Sequence, residues 1–313
     1  MTKQEMKRAA SARRRKRLSG VSRTLMTAIS VLFLMTVAII FVLPIVLTMT
    51  NSFMAESEIA ANYGKIFTSV TTAGTYVAEK VNLKLIPDMV SFSQYETVLL
   101  KTPDYLFKFW NSVILVVPIV LFQTTVALIA AYGFARFETK ARSLIFFLYI
   151  ILMLMPYQVT LVPNYFVSEL LGLLNTRWAI ILPGIFSPFA VFILTKFMRR
   201  IPSSVIEAAK LDGAGEWKIF TKICAPMSKS IVASVAILVY IDYWNMVEQP
   251  LVLMTKEAVD LHPLSVFLSE INTGDAGLAF AVASIYMVIP LLIFLYCEDY
   301  LVEGVAYSGG LKG

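Results

Sequence analysis

The sequence predicts an all-α membrane protein with six transmembrane helices. Three observations carry this reading. First, of 313 residues, 58% are hydrophobic and 15% charged, whereas a soluble domain is about half apolar and a quarter charged. Second, six apolar runs reach the roughly 20 residues that a spanning helix needs. Third, six crossings put 20 of the 27 Lys and Arg on one side. Basic residues mark the cytoplasmic side, so both termini are expected in the cytoplasm.

The expected spans are residues 25–48, 109–132, 144–162, 178–197, 230–247 and 278–296. The first follows a basic segment, as a signal peptide does. Its apolar stretch exceeds the ~7–15 residues of a signal core, and no small-x-small cleavage site follows, so a retained helix is expected. Pro156, Pro183, Pro188 and Pro290 fall inside later spans. Membrane helices tolerate proline when neighbouring groups satisfy the freed carbonyl, so kinks are expected there. Residues 1–24 form a basic tail with the run Arg13-Arg14-Arg15-Lys16-Arg17, which beside a span reads as a topology anchor for anionic headgroups rather than a nucleic-acid patch. Residues 49–108 make a long outer loop, residues 109–302 a five-helix core, and residues 303–313 a cytoplasmic tail.

Covalent chemistry finds little support. Cys224, Cys297 and the single His262 are too few for a disulfide framework or a Cys/His zinc site. No G-x-x-x-x-G-K-[ST] phosphate loop is present, nor a Ser/His/Asp or H-E-x-x-H arrangement, so neither catalytic nor metal-ligating residues are expected. His262, before Pro263 in an outer loop, is expected to be solvated, and the two cysteines to be apolar filler.

The largest cytoplasmic loop, between the fourth and fifth spans, carries "VIEAAKLDGAGEWKIFTKICAP", Val205 to Pro226. Ser204-x-x-Glu207 has capping-box spacing, which predicts a helix over residues 204–211. Asp212-Gly213 should end it, because glycine accepts the left-handed conformation of helix termini. A second short helix is expected over residues 216–223, with Pro226 in the first turn of the next span. Helices this short need something to dock on. Ala208-Ala209 permits close approach, and Val205, Ile206, Leu211, Trp217 and Phe220 supply apolar surface.

Glu207-Ala208-Ala209, three residues, Gly213, nine residues and Ile223-x-Ala225-Pro226 resemble the E-A-A-x3-G-x9-I-x-L-P signature of membrane subunits of binding-protein-dependent ABC importers. Ala225 replaces the usual Leu. "NSVILVV" (Asn111–Val117), "AAYGFARF" (Ala130–Phe137), "MPYQVTLVPNYF" (Met155–Phe166), "LGLLNTRWAIILPG" (Leu171–Gly184), "YWN" (Tyr243–Asn245) and "EGVAYSGGLKG" (Glu303–Gly313) are similar to the sugar-importing branch, to which the maltose and glycerol-phosphate permeases belong.

The resemblance implies a type I ABC importer permease fold in the bacterial cytoplasmic membrane, with coupling helices at 203–224 seated in a cleft of a cytoplasmic ATPase. It also implies a second permease subunit, two ATPase subunits that bind ATP and Mg2+, and an extracellular solute-binding protein. Glu207, Ala208, Ala209, Asp212, Gly213, Trp217 and Phe220 would form the coupling site. Glu207 would meet the ATPase, brace its own helix through Ser204, or do both. The solute would be a sugar or oligosaccharide. A polyamine, phosphate or amino acid importer and a stand-alone channel or carrier remain the alternatives.

Polar groups within spans are candidates for function. Tyr240, Tyr243 and Trp244 share one helical face at i, i+3 and i+4, and Asp242 and Asn245 lie on another. On straight helices Asp242, Tyr157 and Gln158 all sit ~20 Å from the cytoplasmic end. Hydrogen-bonding groups beside flat rings suit a sugar. The same residues also suit an interfacial belt or interhelical packing.

Overall fold

A computed structural model describes residues 3–55, 57–59, 61–63, 82–137, 139–270 and 276–309, with side chains at all of these except 3–24, 256, 270, 276 and 301–309. The anchoring contacts expected of Arg13 to Arg17, and Lys312 in the tail, lie outside the described side chains.

The chain divides into two units, residues 1–91 and 92–313. In the first, α1 (Lys3–Asn51) includes the span Leu25–Asn51. Its apolar side chains, Phe41 among them, are exposed, as a lipid-facing helix requires. Beyond α1 the chain folds back on itself. Met54 pairs with Val90 in an isolated antiparallel bridge, and Ser91 N–H donates to the Phe53 carbonyl at 2.8 Å. Glu58 fixes the returning strand of this excursion. Its carboxylate accepts from the Asp88 N–H at 2.8 Å and pairs with Lys84 at 3.2 Å.

The second unit is built from helices joined by short turns among its described residues. After a short α2 (Ser93–Glu96) comes α3 (Asp104–Arg136), 33 residues long. At 1.5 Å per residue it spans about 50 Å, well beyond the ~30 Å hydrocarbon core. α3 is thus longer than a straight crossing needs, and it serves as the central post of this unit. One face of it, through Leu115, Ile119, Ala127 and Ala131, is fully buried. Against it pack α6 (Trp178–Gly184), α7 (Pro188–Met198), α10 (Lys229–Trp244) and α12 (Leu264–Glu270), and α13 (Ala276–Gly309) packs on α10. Gly184 meets α3 closely: a Cβ there would lie 3.1 Å from Ile119.

Among the described residues four helices are long and apolar enough to cross a membrane, and the total reaches six if each of two bent pairs is one span. The third span departs from expectation. It is two helices, α4 (Lys140–Met153) and α5 (Tyr157–Leu170), turned by 104°. Pro156 explains the break. It lacks an N–H, its ring opposes the carbonyl four residues back, and it pushes the preceding residue out of the helical region. The last turn of α4 tightens accordingly, with Leu154 and Met155 N–H bonding three residues back, and Pro156 itself is extended at ψ 142°.

The fourth span also breaks, at residues 185–187. There the Ser187 hydroxyl accepts from Ala190 N–H and Pro188 opens α7. By contrast α13 runs unbroken across Pro290 and continues to Gly309, through most of the segment expected as a tail.

Candidate functional site

Between α7 and α10 lie α8 (Ser203–Leu211) and α9 (Glu216–Met227). The start of α8 corrects the capping-box expectation. Pro202, at φ −56° and ψ 135°, already occupies the cap position, and no side chain caps the helix. Ser204 is therefore inside the first turn and cannot act as the N-cap paired with Glu207. Glu207 and Ala208 are exposed, and Ala209 is half-buried.

The other end of α8 matches expectation. Asp212 is the last cap residue and Gly213 is left-handed at φ 77°. Gly213 N–H bonds the Lys210 carbonyl at 3.0 Å, and Ala214 N–H bonds the Ala209 carbonyl at 2.9 Å. This is the Schellman pattern, which satisfies the terminal carbonyls while reversing the chain.

The helix pair has an inner and an outer side. Ile206, Ile219, Phe220 and Cys224 are buried, and the Phe220 ring lies 5.2 Å from that of Tyr132 near the inner end of α3. Phe220 is thus committed to the chain's own core. Leu211 is 89% exposed and Trp217 69%, with Val205 also exposed. Across the turn, Glu216 is held twice. Lys210 Nζ lies 2.7 Å from its Oε1, and Tyr132 Oη donates to its Oε2 at 2.5 Å. The Lys210 bond, then the Tyr132 bond, hold the Glu216 carboxyl below its ordinary range. Pro226, expected to open the fifth span, instead lies in the last turn of α9. A 72° bend follows, and α10 starts at Lys229.

At the C-terminal end of α10, the structure separates residues that the sequence grouped. Tyr240 and Trp244 are buried, Trp244 at 1% exposed. Their rings stack at 5.3 Å, and Trp244 stacks on Tyr286 of α13 at 5.2 Å. These two residues pack α10 against α13 and α3. Tyr243 and Tyr157 are half-buried, while Asp242, Asn245 and Gln158 are exposed. Gln158 Nε2 lies 3.4 Å from Glu248 Oε2 on α11 (Glu248–Leu253). Asn245 donates to the Ile241 carbonyl at 2.8 Å and accepts from Tyr286 Oη at 3.2 Å. Because α5 turns away after Pro156, the equal ~20 Å heights expected for Gln158 and Asp242 on straight helices do not apply.

A polar clasp between α3 and the segment before α12 was missed by sequence reasoning. Asn111 Nδ2 donates to the Asp260 carbonyl at 2.6 Å, while its Oδ1 accepts from Arg177 at 2.7 Å. Asn175, left-handed at φ 62°, accepts from Thr255 N–H at 2.7 Å and donates to Glu257 at 3.2 Å. His262 belongs here and is not solvated: it is buried, with Nε2 2.8 Å from the Met254 carbonyl. Cys224 is fully buried and Cys297 half-buried, both as free thiols. The only local signals were Asn111 and Arg177 themselves, polar residues at the edges of apolar runs.

Comparison with known proteins matches this architecture. Residues 123–302 match the family described as binding-protein-dependent transport system inner membrane component. The arabinooligosaccharides transport system permease protein AraQ of Bacillus subtilis is 29% identical over 90% of this chain and 94% of its own length. The diacetylchitobiose uptake system permease protein NgcG of Streptomyces coelicolor is 36% identical over 60% of this chain and 64% of its own. A chain in the crystal structure of a bacterial ABC transporter involved in importing the acidic polysaccharide alginate superposes with a TM-score of 0.69. That match has 22% identity and covers 89% of this chain and 96% of the other. The fold is therefore that of an ABC importer permease. Because the family match covers more than half of its length, the chain belongs to the family of binding-protein-dependent transport system inner membrane components.

Proposed function

We propose that the chain forms half of the translocation pathway of an ATP-driven importer for a sugar or oligosaccharide, and that α8 and α9 couple it to a cytoplasmic ATPase. The observation that carries the coupling role is the outward setting of Leu211 and Trp217 on two short helices whose inner faces are already packed. Exposed large apolar side chains on either side of a Schellman-closed turn suit a protein groove better than water. Glu207 and Ala208, on the exposed side of α8, extend that surface, and Glu207 is the candidate ATPase contact. The solute class rests on the names of relatives such as AraQ and NgcG. Asp242, Asn245, Gln158, Tyr157 and Tyr243 are the candidate solute contacts.

The full assembly in this reading has a second, different permease subunit, two ATPase subunits that bind ATP and Mg2+, and an extracellular binding protein. Both termini are cytoplasmic, and the membrane is the bacterial inner membrane. The chain itself hydrolyses nothing. The test is uptake of radiolabelled arabinotriose into proteoliposomes holding the assembled transporter. Accumulation should require both ATP and the binding protein. Equal uptake by this chain alone, without ATP, would contradict the reading.

A further inference from the structure

The bonds of Glu216 lead beyond the docking surface. Glu216 opens α9 at the tight turn from α8, and its two carboxylate oxygens go to different elements: Oε1 to Lys210 on α8 at 2.7 Å, Oε2 to Tyr132 on α3 at 2.5 Å. Tyr132 is buried, and its ring also packs on Phe220 one turn further along α9. One turn after Tyr132, Arg136 donates to the Met198 and Ile201 carbonyls at the end of α7, at 3.3 and 3.4 Å. The inner end of α3 thus grips both the segment leading into the helix pair and the pair itself.

We propose that Glu216 is a positioning residue that welds α8 and α9 into one body and ties that body to α3, so that displacement of the pair moves the central post instead of being absorbed in the turn. A carboxylate suits this role because its two oxygens accept from an ammonium and a phenol at once, and charge-assisted bonds are shorter and stronger than neutral ones. The turn is closed by its own backbone bonds, and nothing lies within 4 Å of a Cβ placed at Gly213, so that position makes no packing contact with α3. The proposal rests on the coupling role of α8 and α9 given above.

The test measures distances between spin labels carried on non-natural side chains at Leu121 of α3 and Lys222 of α9, both exposed. It uses the full-length chain, alone and assembled with its ATPase, nucleotide-free and trapped with ATP and vanadate. In the parent chain the distance distribution should stay narrow in both states. Tyr132→Phe retains the ring against Phe220 and loses only the hydroxyl, and Glu216→Ala loses both bonds. Each should widen the distribution about twofold on trapping, with ATP hydrolysis retained, and the double variant should match the worse single one, as coupled residues do. Glu216→Gln, which can still accept from Tyr132, should fall between. Unchanged widths in Tyr132→Phe and Glu216→Ala would overturn the proposal. If the parent chain fails to retain the ATPase, the coupling reading fails instead, and the widths in the isolated chain still decide whether Glu216 ties α9 to α3.

Discussion

The two aromatic regions of the core, one at each end of the spans, have similar composition and opposite settings. At the inner end, α8 and α9 turn Leu211 and Trp217 outward, while Phe220 goes into the core. At the outer end, Tyr240 and Trp244 of α10 are stacked inside, while Asp242 and Asn245 remain exposed. Trp217 and Trp244 are the same residue type beside similar neighbours. One is exposed; the other is packed inside. What distinguishes them is whether a second helix covers the ring: α13 brings Tyr286 onto Trp244, whereas Trp217 meets the Phe220 ring of its own helix at 5.4 Å and stays 69% exposed.

Substitutions can break this contrast, and their expected effects differ in size. Trp244→Ala should be the most damaging, because removing a fully buried tryptophan costs about 3–5 kcal/mol. Thermal unfolding in detergent should show a large loss. A stability near that of the parent would return Trp244 to the list of solute contacts.

Gly213→Val comes second. Its Cβ meets no neighbour, so the penalty is backbone strain at φ 77°, about 1–2 kcal/mol for a left-handed L-residue. Here stability falls modestly while ATPase co-purification falls sharply or hydrolysis runs uncoupled from uptake. Gly213→Asn should be milder, since asparagine visits that region more readily. Wild-type uptake by Gly213→Val would count against the coupling role.

Asp242→Asn should leave unfolding within ~0.5 kcal/mol of the parent, as exposed substitutions do, and weaken uptake. Unchanged uptake would remove Asp242 from the pathway.

The smallest effect concerns pH. Glu216 has a folded pKa below its ordinary 4.5. Its stabilising bonds are therefore fully present above about that value and are lost as pH falls through the lower folded one. Label distances between α3 and α9 should be constant from neutral pH down to the ordinary carboxylate range and widen only below it. Widening near neutrality would mean that another group holds the pair.

Much of this was legible locally. The apolar runs gave the spans, and Asp212-Gly213 gave the left-handed end of α8 because both depend on neighbours in the chain. Pro156 announced a disturbance, but one proline is compatible with a slight kink or a 104° turn. The outcome depends on what α5 packs against, and α11 supplies that surface. The N-cap of α8 was misplaced by two residues because Pro202 holds the position that Ser204 was expected to fill. The rest was hidden for a shared reason. Tyr132 and Glu216 are 84 positions apart, and Asn111 and Asp260 are 149 apart. No periodicity within a segment encodes such pairs. His262 looked solvated because its partner, the Met254 carbonyl, is a backbone atom with no sequence signature.

The central claim is that the outer side of α8 and α9 is a docking surface and the aromatic stack of α10 is not. The most direct measurement is the amount of ATPase retained by the purified chain carrying Leu211→Ser and Trp217→Ser together, read beside its thermal unfolding. Interface anchors carry most of a binding energy, so retention should fall about tenfold or more, while unfolding stays at the parental value because neither side chain is buried. Parental retention of the ATPase by that double variant would contradict the account.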